Sequence, residues 1–232
     1  MYEYITLFDN MRDSFLAGVA FIAALLFALT IHEMSHALVA KWNGDPTAQM
    51  LGRITLNPMK HLDIFGTLMM ILAGFGWAKP VPINPFYFRN PKKGMMLSAL
   101  AGPLSNVAMA FLLMVIYKLL YIPTIFGSSA SFVDTLQMIL YYMILINVGL
   151  AVFNLLPIPP LDGSRVATYF LPRDVYFKIM QYENIIFLAL LALLWTGVLN
   201  RPLNYLQDAV FSGLDLLTTP VNWLLTAIAA AA

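Results

Sequence analysis

Long apolar runs alternate along this chain with shorter polar or proline-rich connections. A helix that crosses a bilayer needs about 20 mostly apolar residues. Phe15 to Trp42 exceeds that length, so this run is expected to tilt or to project beyond the hydrocarbon. Leu97 to Tyr121 predicts a second span, and Leu136 to Leu156 a third. Ile185 to Leu199, extended at its start by Tyr182, predicts a shorter fourth. Leu203 to Ala231 is apolar but interrupted by Asp208, Asp215 and Pro220, and reads as a fifth span, a broken hairpin or an interfacial helix.

The stretch from Asp63 to Arg89 is different in kind. Ile64 to Phe75 is apolar but too short to span, and it leads into Trp77-Ala78-Lys79-Pro80-Val81-Pro82-Ile83-Asn84-Pro85. Closely spaced prolines forbid a helix interior and suit extended edge chain. Irregular backbone at membrane depth is tolerated only against protein or a water-filled cavity. The segment therefore reads as a re-entrant or partial helix followed by a short extended hairpin. One edge of it, at Trp77, Lys79, Pro80, Val81 and Pro82, is a candidate for pairing with an extended peptide. A plain interfacial loop is the alternative. The expected fold class is an all-α polytopic membrane protein with about four to six transmembrane helices. It reads as one membrane-embedded domain over residues 1–232, with a core over about 13–165 and C-terminal membrane helices over about 182–228.

Composition agrees, with 60% hydrophobic and only 11% charged residues. Soluble domains run to about half apolar and a quarter charged. A net charge of +1 leaves no nucleic-acid footprint, and zero cysteines excludes disulfide and thiol chemistry, so a bound metal must use His and carboxylates. Lys41, Arg53, Lys60, Lys79, Arg89, Lys92 and Lys93 fall in one connection and Arg165, Arg173 and Lys178 in another, together most of the 13 basic residues. The Ile122 to Phe132 loop has none. By the positive-inside rule the two basic connections face the cytoplasm and the N-terminus faces out. The first run, with its mixed charges Glu3, Asp9, Arg12 and Asp13, reads as a retained span and not a cleaved leader.

That run contains His32-Glu33-Met34-Ser35-His36. One helical turn puts His32 and His36 on the same face, where two imidazoles can reach one zinc ion, and Glu33 is then placed to take a proton from water. Buried polar groups are costly inside a membrane, and ionisable residues there are functional candidates by default. An ion relay through the same side chains is the competing class. A catalytic zinc typically has three protein ligands. His61 sits in a basic loop and reads as structural or interfacial, with no assigned role. Asp162 follows Asn154-Leu155-Leu156-Pro157-Ile158-Pro159-Pro160-Leu161 and precedes Gly163, where prolines break the third span. An aspartate there can turn inward to a metal, or it can serve as an ordinary turn or cap residue.

These segments resemble the site-2 protease family of intramembrane zinc metalloproteases. The resemblance rests on His32 to His36 and Asn154 to Gly163. It extends to Leu56-Asn57-Pro58 with His61 and Asp63, Gly76 to Pro82, and Ala101-Gly102-Pro103-Leu104-Ser105-Asn106. It covers residues from about 30 to 165 and is closest to short members that lack a PDZ or other soluble domain. The resemblance implies one Zn2+ per chain held by His32, His36 and Asp162, with Glu33 as the general base. It implies that Asn154 polarises the scissile carbonyl or holds the oxyanion, although helix–helix bonding would satisfy that amide equally well. Asn106 reads as an amide link to a neighbouring helix. The expected activity is hydrolysis of peptide bonds in membrane-spanning substrate proteins, as in regulated intramembrane proteolysis. The expected setting is the plasma (inner) membrane, with the lipid bilayer and a membrane protein substrate as partners, no nucleic acid, and a site opening towards the cytoplasm.

Overall fold

A computed structural model describes residues 15–66, 77–122 and 131–231. Its helices are α1 (Phe15–Trp42), α2 (Thr47–Met50), α3 (Pro91–Leu119), α4 (Ser131–Asn154), α5 (Asp162–Phe170), α6 (Arg173–Gln181), α7 (Glu183–Trp195), α8 (Asn200–Leu217) and α9 (Thr219–Ala231). No strand forms among the described residues, so the fold class is all-α, as the apolar runs predict.

Among the described residues three helices are long and apolar enough to cross a membrane: Ala17–Trp42, Pro91–Leu119 and Phe132–Asn154, with mean hydropathy of 1.8, 2.0 and 2.0. Helix α1 has 28 residues, a length of about 42 Å against a hydrocarbon core of about 30 Å. Helix α7 has 13 residues and reaches only about 20 Å. It qualifies as a fourth span only together with α8, as a pair broken at 196–199. The apolar Leu203 to Ala231 run is two helices, α8 and α9, interrupted at Thr218 just ahead of Pro220. Proline is tolerated in the first turn of a helix, where its missing N–H costs nothing.

The chain forms two compact units, one of residues 1–25, 107–150 and 199–232, the other of residues 26–106 and 151–198. In the first, Ala17 and Ala20 of α1 pack with Tyr142 and Leu145 of α4, and Phe21, Met138, Ile139 and Phe211 close over them. Small alanines let apolar helices approach closely where no hydrophobic force from water drives them together. Lys118 near the end of α3 and Asp215 near the end of α8 pair at 2.7 Å.

The second unit contains the irregular connection between α1 and α3. Asn57 accepts from the Met59 N–H at 3.0 Å and caps the turn Pro58–Lys60. The turn delivers His61 to a buried position. A single antiparallel bridge joins Leu62 to Ala78, and Lys79 N–H donates to His61 O at 2.8 Å. The ladder extends no further, because Pro80 and Pro82 have no N–H to give. The expected hairpin is thus one bridge followed by irregular chain and the short turn Pro85–Tyr87. The re-entrant helix expected over Ile64–Phe75 falls mostly on residues 67–76, outside the described residues; Asp63 Oδ1 accepts from Gly66 N–H at its start.

Candidate metal centre

Helix α1 supplies the first two candidate ligands. Ala28, His32, His36 and Ala40 recur every fourth residue, and all are buried. The stripe lies on one face, with methyl groups above and below the imidazoles that leave room for other chain to approach. By residue count His36 and His32 lie about 9 and 15 Å from the end of the helix at Trp42. The hydroxyls of Thr30 and Ser35 bond back to Leu26 O and Ile31 O at 2.6 and 2.7 Å, so they need no outside partner.

Helix α3 fixes the ring orientations. His32 Nδ1 lies 2.6 Å from Asn106 Oδ1, while Asn106 Nδ2 donates to Ala28 O at 3.3 Å. A carbonyl can only accept, so the amide nitrogen faces Ala28 and the amide oxygen faces His32. The proton of neutral His32 therefore sits on Nδ1. His36 Nδ1 lies 2.6 Å from Ser98 O, another obligate acceptor, so its proton is on Nδ1 as well. Both Nε2 lone pairs are left to face the same space, which is the ligating arrangement of a metal-bound imidazole. Gly102 lies against the two rings, where a Cβ would overlap His36 Nε2 and Cε1 and His32 Cε1. Pro103, inside α3, removes a ladder N–H within the same stretch as Ser98.

The link after α4 supplies the carboxylate. Asp162 opens α5, and its Oδ2 lies 3.1 Å from His32 Nε2 and 3.2 Å from His36 Nε2. Its carboxylate therefore meets both imidazoles across 130 residues of sequence. Gly163 makes the placement possible: a Cβ there would overlap the carbonyls of Leu155 and Leu156, the turn that ends α4. Burial alone would raise the Asp162 pKa. With no metal bound and a proton on each Nε2 as well, hydrogen bonds from His32 and His36, and then their charge, outweigh it and hold the carboxyl well below the usual carboxylate range.

The three ligand atoms lie within 4.8 Å of one another, the one such group of three or more His, Cys, Asp or Glu among the described residues. Tetrahedral zinc with bonds of about 2.0–2.2 Å spaces its ligand atoms roughly 3.3–3.6 Å apart. The contacts of 3.1 and 3.2 Å come within a few tenths of that spacing. Two imidazole lone pairs and a carboxylate oxygen repel one another unless a cation lies between them. The donor set, two nitrogens and one oxygen with no sulfur, suits zinc.

Glu33 is buried beside His32. Its Oε2 accepts from Val81 N–H at 3.2 Å. The proline-rich segment thus reaches the candidate site. Within it Trp77, Lys79 and Pro80 are exposed, and Val81 and Pro82 are half-buried. Arg53 donates to Lys79 O at 2.6 Å and to Pro80 O at 3.1 Å, and buried Asp45 accepts from Asn84 N–H at 2.7 Å. Asn154 is the half-buried last residue of α4. His61 stands apart from the triad and bonds Thr55 O at 2.9 Å through Nε2.

Sequence reading understated Asn106 and Arg53. It took the first as a helix link, and the structure shows that the link ends on a candidate ligand. It counted the second only as a charge in a basic connection. For Asn106 a signal existed, since an amide deep in an apolar run needs a partner of matching value.

The model of peptidase family M50 matches residues 20–196. Bacterial relatives that carry the name "Putative zinc metalloprotease" include YwhC and Rip2. YwhC of Bacillus subtilis is 41% identical over 177 residues, 75% of this chain and 80% of the relative. Rip2 of Mycolicibacterium smegmatis is 30% identical over 202 residues, 83% of this chain and 74% of the relative. A protein of the same description from Methanocaldococcus jannaschii is 33% identical over 168 residues, 69% of this chain and 75% of the relative. No solved structure matches the chain. The matched stretch contains both histidines, Glu33 and Asp162. With its apolar helices, this chain is a membrane protein that belongs to peptidase family M50, the site-2 proteases, and is a zinc metalloprotease.

Proposed function

We propose that the protein is an intramembrane endopeptidase that hydrolyses peptide bonds of membrane-spanning substrate proteins, with one zinc ion per chain held by His32, His36 and Asp162. One observation carries this reading: both Nε2 atoms and the Asp162 carboxylate converge against a helix long enough to cross a membrane. A soluble protease has no need to build its centre there, and a polar cluster in such a helix is costly unless it works.

When bound, zinc supplies Lewis acidity, bringing water to give up a proton near neutral pH. The protein's own groups do the rest. Glu33 accepts the proton of the attacking water and returns it to the leaving amide nitrogen. The Asn106 and Ser98 acceptors keep both imidazoles in the ligating tautomer throughout. Asn154 donates to the oxygen that becomes negative at the tetrahedral stage. A substrate helix must unwind before its carbonyl is exposed, and the chain from Trp77 to Pro82 borders the base where the unwound strand would lie. Much of that border is already engaged, since Lys79 N–H, Lys79 O, Pro80 O and Val81 N–H all have partners within the chain. Pairing with substrate would then fall to the remaining groups, Ala78 and the Val81 and Pro82 carbonyls among them. The basic connections favour a cytoplasmic orientation for this face, in the plasma (inner) membrane.

The test is metal analysis of purified protein combined with cleavage of a panel of single-span membrane proteins. Wild type is expected to hold one zinc and to cut at least one substrate. Glu33→Gln is expected to hold the zinc and cut none. Cleavage by Glu33→Gln at the wild-type rate, or protein that takes up no zinc, would end this reading.

A further inference from the structure

Arg53 is the one lysine or arginine buried among the described residues, at 5% exposure. A buried cation is costly unless its donors are used. None of the ion pairs among the described residues includes it. Its two terminal nitrogens instead donate to Lys79 O at 2.6 Å and Pro80 O at 3.1 Å, the last two carbonyls before Val81. Burial pushes the guanidinium pKa down from its usual value, and the negative charge of Glu33 pulls it partly back.

The covalent geometry of the next bond makes this contact matter. Pro80 C=O and Val81 N–H belong to one planar, trans peptide group, so they point in opposite directions from a rigid plate. Arg53 holds the oxygen end of the plate, and Glu33 Oε2 accepts from the nitrogen end at 3.2 Å. Pro80 and Pro82 have no N–H, so Val81 offers the single amide donor of the tripeptide. The plate is also tied upstream by Lys79 N–H to His61 O at 2.8 Å. Downstream, Asn84 N–H is tied to Asp45 at 2.7 Å. A charged donor polarises the amide it holds, which strengthens the bond at the far end.

We propose that Arg53 is a positioning residue for the general base: through the Pro80–Val81 peptide it fixes one oxygen of Glu33 and leaves the other free for proton transfer. The proposal rests on Glu33 as the base. It accounts for a guanidinium where a lysine would give one point contact instead of a fork across two carbonyls. It also gives this part of the proline-rich segment a task apart from substrate pairing.

Two measurements test it, one of them independent of cleavage. Amide hydrogen exchange of zinc-loaded protein, followed in a proteolytic fragment that covers residues 80–83 and resolved by further fragmentation from the amide of Ile83, reports Val81. Arg53→Gln is expected to speed Val81 exchange by about tenfold, the loss of roughly one hydrogen bond, with zinc content unchanged. In cleavage of a single-span membrane peptide in micelles, Arg53→Gln is expected to lower kcat by about ten- to a hundredfold with KM within about twofold. Arg53→Lys is expected to fall between the two, and it serves as the working variant if the glutamine form does not fold. Val81→Pro removes the amide donor, so Arg53→Gln added to Val81→Pro is expected to cost little more than Val81→Pro alone. Unchanged Val81 exchange, fully additive losses, or loss of zinc in step with loss of activity would each overturn the proposal. The Glu33→Gln control separates these outcomes from failure of the protease reading, because only that failure lets Glu33→Gln cut as wild type does.

Discussion

Replacing Asn106 with leucine tests how far the metal centre depends on a residue that touches no metal. The substitution keeps most of the volume and removes the amide's bonds to His32 Nδ1 at 2.6 Å and to Ala28 O at 3.3 Å. The first loss dominates, because Ala28 O retains its place in the helix ladder whereas the His32 N–H is left buried with no acceptor. An orphaned buried donor costs about 1–3 kcal/mol. His32 can escape that cost by moving its proton to Nε2, which is the atom needed for the metal. The penalty therefore appears as weaker zinc binding, about 10- to 100-fold, the range seen when such supporting partners are removed. That factor corresponds to about 1.4–2.8 kcal/mol, in agreement with the orphaned-donor figure. The assay is competition with a chromophoric chelator in micelles, with thermal unfolding of the metal-free protein alongside as a check on folding. Asn106→Asp retains an acceptor and is expected to bind zinc more tightly than Asn106→Leu. A folded Asn106→Leu protein whose zinc affinity stays within about threefold of wild type would refute the reasoning.

Three further outcomes follow from the same geometry. Gly102→Ala puts a methyl group into the His32 and His36 rings and is expected to lose zinc affinity or about 1–3 kcal/mol of stability, read by metal content and Tm. Gly213→Ala is the contrast: nothing lies within 4 Å of its Cβ, so it is expected to gain about 0.5–1 kcal/mol, and equal damage from both would undo the steric argument. Gly163→Ala is expected to displace the start of α5 from the Leu155 and Leu156 carbonyls and carry Asp162 away, visible as a changed visible spectrum of the Co2+-substituted protein. For pH, Asp162 has a folded pKa held below its unfolded value, so the unfolded chain binds the proton more readily. The stability it contributes to metal-free protein is complete above the usual carboxylate range of about 4 and is lost as pH falls below it. Unfolding midpoints across that window should show a slope that Asp162→Asn removes; an identical slope in both proteins would count against the contact.

What the sequence displays and what it conceals divide along the range of the interaction. Helix α1 was legible from Phe15 to Trp42 because an apolar run and a four-residue histidine spacing are local facts. Helix α7 was harder: Ile185 to Leu199 is as apolar as a span, but its 13 helical residues stop short at Trp195. Composition reports how greasy a segment is and says little about where its helix ends. The choice at Asp162 between ligand and cap stayed open in sequence, since both uses place an aspartate at a helix start. The choice depends on whether the chain after α4 folds back onto α1, and Gly163 permits that through a contact invisible at the level of spacing.

The supporting residues were hidden for a related reason. Asn106 and Arg53 act through other groups, over 74 residues to His32 and over 27 residues to Pro80. Neither has a spacing rule, because each needs only to reach one acceptor or donor by whatever route the fold offers. Yet each betrayed itself by cost: an amide in an apolar run and a guanidinium beside Gly52, in a turn that buries it, must be satisfied somewhere. A chain this poor in charge spends its few buried polar groups sparingly. Of the nine among the described residues of α1, α3 and the 43–90 connection, six (His32, Glu33, His36, Asn106, Arg53 and Asp45) join the ligands, the base or the chain that holds the base, while the side chains of Thr30, His61 and Ser98 do not. In such a protein, asking where each buried polar atom finds its partner locates the supports of a site as reliably as a motif locates its ligands.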